Sequence, residues 1–239
     1  QTARAMAMAC YERGRRLVST AGAPADRVLG AGCTASLVSE QPKRGDHRVH
    51  AAVQTSRSTF RASLYLAKGR RNREQEDQVA SQFLLHLIAA AATESEFAFA
   101  TSYDDETVQF ERFDAPLGWQ RLLAGECAWA SGDKAEVYGD LIEPANGESL
   151  AVYCGAFHPR HEAHRRIYEC ARSRFPYVVH EISMYNVDKP PLDFIELSLR
   201  AKQFSPGEEL IFTACPTFVQ KARVFPGCTF LVGYDTIVR

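Results

Sequence analysis

Three of the chain's seven histidines fall within the stretch GAFHPRHEAH, residues 155–164. An apolar run, SLAVY, leads into it, and an arginine-rich amphipathic pattern, HEAHRRIYECARSR, leaves it. Where a strand turns into a helix, the helix start offers unpartnered backbone amides and the positive end of its dipole. Both suit an anion such as phosphate. With a helix starting near Pro159 or Arg160, His161 and His164 lie three residues apart on one face of its first turn. Gly155 lets a ligand approach the backbone closely. Imidazoles donate hydrogen bonds to phosphate oxygens and gain charge near neutral pH.

Two other readings stay open. His158, His161 and His164 could bind a metal, although residues at i, i+3 and i+6 fan across roughly 120° of a helix, a poor match to zinc. They could also be polar residues at a helix start with a structural role only. The glycine turn, the proline and the preceding strand favour phosphate.

A second polar cluster is NVDKPPLDF, residues 186–194. Lys189 could hold an acceptor phosphate as a point charge while Asn186 orients it; a rigid capped loop is the alternative. A third, TFVQKARVFPG, carries Lys221 and Arg223, which read as one exposed helix face.

These clusters need elements to position them. From 149 onward, apolar strands (SLAVYC, YVVHEIS, ELIFTAC, TFLVGY) alternate with helices (HEAHRRIYECARSR, PLDFIELSLRAKQF, TFVQKARVF). Such alternation predicts a parallel sheet covered on both faces by right-handed crossovers, with the strand from Ser149 at its centre. Ligands bind beyond the carboxyl ends of such strands. GAFHPRHEAH, MYNVDKPPLD and GYDTIVR all fall there.

Upstream, residues 2–18 have helical spacing, with Gly22 and Pro24 beyond the end. RVLGAGCTASLV and HRVHAAVQT read as strands joined by a polar turn. STFRASLYLAKG alternates Phe60, Ala62, Leu64 and Leu66 on one face, which predicts a third, antiparallel strand. REQEDQVASQFLLHLIAAAA is a helix, acidic in its first turn and apolar at Val79, Phe83, Leu87 and Ile88. Residues 93–147 read as a connector that could hold a hairpin and a short helix, its acidic residues on a solvated surface.

The bulk properties narrow the class. At 239 residues, 46% hydrophobic and 24% charged, the chain reads as an ordinary globular protein with room for two domains. A net charge of -1 offers no global field for nucleic acid or anionic membrane, and no run approaches a membrane span. Seven cysteines without a C-x-x-C pair argue against a disulfide framework and for a reducing cytoplasm. Both ends read as cuts: a helical pattern is already running at Gln1, and TFLVGYDTIVR stops where a further element is expected.

GAFHPRHEAH resembles the G-x-F-x-P-x-H-x-G-H signature of the nucleotidyltransferase superfamily. The resemblance implies a Rossmann-like α/β domain over about 148–239 that transfers AMP or CMP from ATP or CTP to a phosphorylated small molecule, with Mg²⁺. It implies catalytic roles for His161 and His164 on the triphosphate. Gly155, Ala156 and Phe157 would bind nucleotide, together with Gly233 and Asp235 of VGYDT, and Asn186 and Lys189 would bind the acceptor. Ala163 stands where the signature has glycine, and the family's S-x-T-x-x-R-type motif is not in the chain.

Residues 1–92 are similar in pattern to the later part of the CinA C-terminal, or nicotinamide-nucleotide amidase, domain. The likeness rests on VLGAGCTASL, RGDHRVHAAV and FRASLYLAKGRRNREQEDQVASQFLLHLI. Nothing matches that family's E-S-C-T-G-G-like nucleophile stretch, so the resemblance implies a scaffold or a surface for a homo-oligomer. Together the two likenesses point to nicotinamide mononucleotide as an acceptor. A non-catalytic nucleotide-binding protein and an amidase-related protein are the alternatives.

Overall fold

The computed structural model describes residues 1–22, 27–41, 44–133, 137–142, 149–186 and 190–233. The chain divides into two compact units, Gln1–Asp114 and Ala115–Arg239. Among the described residues there are six helices and two sheets, one of them partly parallel.

In the first unit, helix α1 (Thr2–Thr20) precedes strands β1 (Gly30–Ser36), β2 (His47–Gln54) and β3 (Ser58–Leu66). Helix α2 (Arg73–Thr93) and strand β4 (Thr107–Asp114) follow. All neighbouring strands are antiparallel, in the order β1-β2-β3-β4. Phe60, Ala62, Leu64 and Leu66 are buried with Val49, Ala51 and Val53 against Phe83 and Leu87 of α2. The alternate face carries Ala52, which packs on Ala3 and Ala7 of α1.

That second contact explains the glycines of VLGAG. A Cβ on Gly30 would lie 2.1 Å from the Ala7 carbonyl oxygen, and one on Gly32 would lie 2.3 Å from that of Ala3. Helix backbone therefore rests directly on strand backbone, which only glycine permits. Helix α2 starts at Asn72, whose side chain accepts from the Gln75 amide while Gln75 Oε1 accepts from the Asn72 amide, both at 2.9 Å. Its first-turn acid Glu76 is not on the surface; it is buried and accepts from the Val38 amide at 2.7 Å beside His47 Nδ1, also at 2.7 Å.

Residues 93–147, expected as a connector, are divided between the units. β4 completes the first sheet, and Glu106 is buried, a correction to the expected solvated acid. Its carboxylate accepts from Arg71 and from the amides of Ala67 and Ser102.

The second unit opens with helix α3 (Leu117–Ala124) and the short strands β5 (Trp129–Ser131) and β6 (Tyr138–Gly139). Then come β7 (Leu150–Cys154), α4 (Glu162–Arg172), β8 (Tyr177–Ser183), α5 (Phe194–Ala201), β9 (Leu210–Thr213), α6 (Phe218–Val224) and β10 (Thr229–Leu231). The sheet order is β10-β7-β8-β9-β5-β6; the first four strands are parallel, and β5 and β6 join antiparallel. β7 is thus interior but second from the edge rather than central, because among the described residues only β10 lies beyond it.

The chain steps from β7 to β8 to β9 in one direction, then returns past β7 to place β10 on its other side. Alternate residues of β7 and β8 record the consequence. Ala151 and Val178 pack on Ala171 of α4, whereas Val152 and Val179 pack with Val224 of α6. Helices α4 and α6 therefore cover opposite faces, and the strand order reverses at β7.

Candidate functional site

The site is built on the turn that leaves β7. The Gly155 amide donates to the Glu181 carbonyl at 3.0 Å, continuing the pairing with β8 by one residue. A Cβ on Gly155 would lie 2.8 Å from Phe157 Cζ, so the position requires glycine. Phe157 itself has φ of 44°, a left-handed conformation that costs an L-residue roughly 1–2 kcal/mol. Burial of its ring offsets that cost: it is 1% exposed and packs edge-on to Tyr153, His164, His180 and Phe204.

Helix α5 and the loop after it hold the turn from the side. Arg200 Nη1 donates to the Ala156 carbonyl at 2.9 Å, and Gln203 Nε2 to the Phe157 carbonyl at 3.0 Å. The Arg160 amide donates to Gln203 Oε1 at 2.7 Å. The Arg160 guanidinium forks onto Glu208, one arm at 2.7 Å, and lies over the Phe204 ring. Arg160 holds the Glu208 carboxyl down to about 2, overriding its partial burial. His158 Nδ1 lies 3.3 Å from Glu196 Oε1, which also accepts from Arg200 Nε at 3.1 Å.

The helix begins at Glu162, two residues later than expected, with His161 as its N-cap. His161 therefore precedes the first turn, and His164 stands at the third helical position. The His161 amide donates to His164 Nδ1 at 3.2 Å, a capping box in which an imidazole plays the usual glutamate's part. The two rings stack with centroids 3.8 Å apart and planes 24° from parallel. Burial pushes the His164 imidazole below its ordinary value, with His161 and Arg160 adding to the effect. Because Nδ1 accepts a hydrogen bond, the neutral ring carries its proton on Nε2, a donor left for a ligand. The amides of Glu162 and Ala163 have no partner among the described residues. Two imidazoles and two free amides at a helix start form an anion-binding arrangement.

The parallel strands place the turns after β7, β8 and β10 at one end of the sheet. Ala156 is exposed in the first turn, Asn186 is exposed three residues past β8, and Gly233 is half-buried two residues past β10. Lys189 and Asp235 lie outside the described residues. Lys221 is a correction: it is 6% exposed and ion-paired with Glu181, whereas Arg223 is exposed as expected. Glu181, fully buried on β8, also accepts from Thr213 Oγ1 at 2.6 Å. Beside it, burial and the Glu181 charge push the Cys154 and Cys215 thiols upward, leaving both protonated and inert as nucleophiles.

Four residues that matter to the turn were not singled out in the sequence: Glu196, Arg200, Gln203 and His180. Glu196 and Arg200 have the i, i+4 spacing common to helical ion pairs, which does not single them out. His180 sits on β8 beneath the turn, fully buried, its ring stacked on Tyr168 at 4.5 Å. Its Nδ1 lies 3.3 Å from the Glu209 carbonyl, and its Nε2 has no partner among the described residues. Burial, followed by Arg160, pushes it down to about 4.

A cleft of about 860 Å³ opens elsewhere in this unit. It is lined by Trp129, Leu150, Val179 and the loop Phe204–Glu209, near the starts of the parallel strands, and by none of residues 155–164. The histidine turn, at the strand ends, adjoins the cleft, because Phe204 and Glu208 line the one and brace the other.

No family model, curated protein or solved structure matches the chain. Among the described residues, no helix is long and apolar enough to cross a membrane, and no group of three His, Cys, Asp or Glu side chains is placed to hold a metal ion.

Proposed function

We propose that the second unit is a Rossmann-like nucleotidyltransferase domain, transferring AMP or CMP from a nucleoside triphosphate to a phosphorylated small molecule. The observation that carries this reading is the stacked His161–His164 pair at the start of α4, directly after the strand where the order reverses. Such switch points open a crevice at the strand ends, where nucleotides bind in other doubly wound sheets.

In this mechanism the acceptor phosphate attacks the α-phosphorus in line and pyrophosphate departs. His164 Nε2–H and the amides of Glu162 and Ala163 donate to phosphate oxygens as charge builds on them. The braced turn supplies position. Mg²⁺ would be held chiefly by the triphosphate with few protein ligands, its usual mode in such sites, and would neutralise phosphate charge.

The test is a pyrophosphate-release screen crossing four nucleoside triphosphates with phosphorylated acceptors, nicotinamide mononucleotide among them. Release with one pair, lost in His164→Gln, supports the reading; silence across the screen overturns it.

One observation favours a second reading, a binding module without turnover. Ala163 is exposed at the second helical position, beside the amides that would meet the nucleotide. If its methyl obstructs approach, Ala163→Gly tightens ATP or CTP binding in a calorimetric titration. Equal affinities sink the obstruction.

For the first unit, the backbone packing of Gly30 and Gly32 supports a scaffold role over amidase chemistry. The seven free thiols fit a reducing, cytoplasmic setting.

A further inference from the structure

Of the three histidines in the turn, His158 alone faces a carboxylate among the described residues. His161 and His164 cap the helix and stack on each other, whereas His158 Nδ1 lies 3.3 Å from Glu196 Oε1. Its side chain is 51% exposed while that of Glu196 is 8% exposed. A buried carboxylate beside Nδ1 favours the tautomer with the proton on Nδ1 and the lone pair on Nε2. Imidazole oriented in this way is the common form of a general base.

The placement is also informative. The turn after β7 is tied to α5 through Ala156 and His158, and to the loop after it through Phe157. Helix α5 continues from the loop after β8, which carries Asn186. β10, which leads to Gly233, runs on the opposite side of β7. His158 therefore stands on the β8 side of the crevice, away from the strand expected to line the nucleotide.

We propose that His158 is the proton acceptor for the incoming phosphorylated substrate, oriented by Glu196 as a positioning residue. This rests on the nucleotidyltransferase reading of the site. A phosphate monoester loses its second proton near pH 6, so around and below that value much of it arrives as the monoanion. As the acceptor oxygen bonds to the α-phosphorus, the bond from that phosphorus to the β-phosphate bridge breaks and pyrophosphate leaves with the electron pair. The monoanion's proton passes to His158 Nε2. The charged groups around the ring are Glu196 and Arg200 of α5 and, on its own turn, Arg160, which is committed to Glu208.

The experiment is the pH dependence of kcat/KM for wild type and His158→Gln, with a nucleotide–acceptor pair that the wild-type protein turns over, alongside direct titration of the nucleotide. The variant is expected to bind nucleotide as wild type does. Its loss of kcat/KM should be greatest near pH 6, about threefold or more, where the monoanionic acceptor and a neutral imidazole coexist, and should shrink to within about twofold at about pH 8.5, where the acceptor is a dianion and needs no base. A variant equal to wild type at every pH, or reduced by one factor throughout, overturns the role of His158 and leaves the nucleotidyltransferase reading standing. Failure of the wild-type protein to turn over any pair removes that reading and this proposal together.

Discussion

The rings of His161 and His164 lie face to face, centroids 3.8 Å apart, with the second ring also accepting the first residue's amide proton. Burial, with repulsion from His161 and Arg160 added to it, makes His164 take a proton less readily than usual in the free protein. A phosphate beside the pair reverses that preference. Anion binding and proton uptake are therefore coupled.

The first prediction follows from this sign. Triphosphate affinity should be lowest above neutrality and rise as pH falls through the bound-state pKa. It levels off below the free-state pKa of His164, which lies under the ordinary 6.5. For one proton the limiting slope is about tenfold per pH unit. Calorimetry in two buffers of different ionisation enthalpy reads the proton uptake; an affinity flat between about pH 5.5 and 8 contradicts the coupling.

His164→Gln separates chemistry from capping. Glutamine at the third helical position can keep the capping box but has no imidazole. We expect triphosphate binding or turnover to fall at least about tenfold, roughly 1.4 kcal/mol, with a melting temperature shifted by only a few degrees. A large stability loss with unchanged affinity would make the residue structural.

His180 predicts an acid-labile second unit. Its imidazole is pushed down to about 4 in the fold. Its contribution is complete above the unfolded value of about 6.5 and is lost as pH falls from there to about 4, of the order of 3 kcal/mol in all. His180→Phe removes the buried proton acceptor, so its stability should fall less than that of wild type between about pH 7 and 4.5. Both tryptophans, Trp119 and Trp129, lie in this unit, so urea unfolding followed by tryptophan fluorescence reports it directly. Parallel losses in the two proteins would exclude His180 as the cause.

Gly30→Ala tests the contact of α1 with β1. The added Cβ would meet the Ala7 carbonyl at 2.1 Å and the Tyr11 amide nitrogen at 2.2 Å, both backbone atoms that cannot swing aside. Calorimetric unfolding should show the first unit destabilised by at least about 2 kcal/mol. An unchanged transition would mean that the helix does not rest there.

Much of this architecture was legible from periodicity. The alternation of Phe60, Ala62, Leu64 and Leu66 marked β3, and the four apolar runs after 149 marked the parallel strands, because each pattern is set by local burial. What escaped depends on partners distant in sequence. Lys221 and Arg223 looked like one exposed face, yet Lys221 turns inward to Glu181, forty residues earlier in an apolar strand. The left-handed Phe157 has no sequence signature, since any aromatic residue looks extended from composition alone. The brace from Arg200 and Gln203 exists only once α5 is packed beside the turn.

That brace has a thermodynamic consequence. The carbonyls of Ala156 and Phe157 and the amide of Arg160 are already fixed before any ligand arrives. An anion settling on the helix start thus finds a preorganised socket with little chain left to immobilise, and its association should proceed with a small loss of conformational entropy. A rigid socket also selects by shape: it takes a group of the right size near a diffusion-limited rate and excludes larger ones, instead of remoulding itself around them.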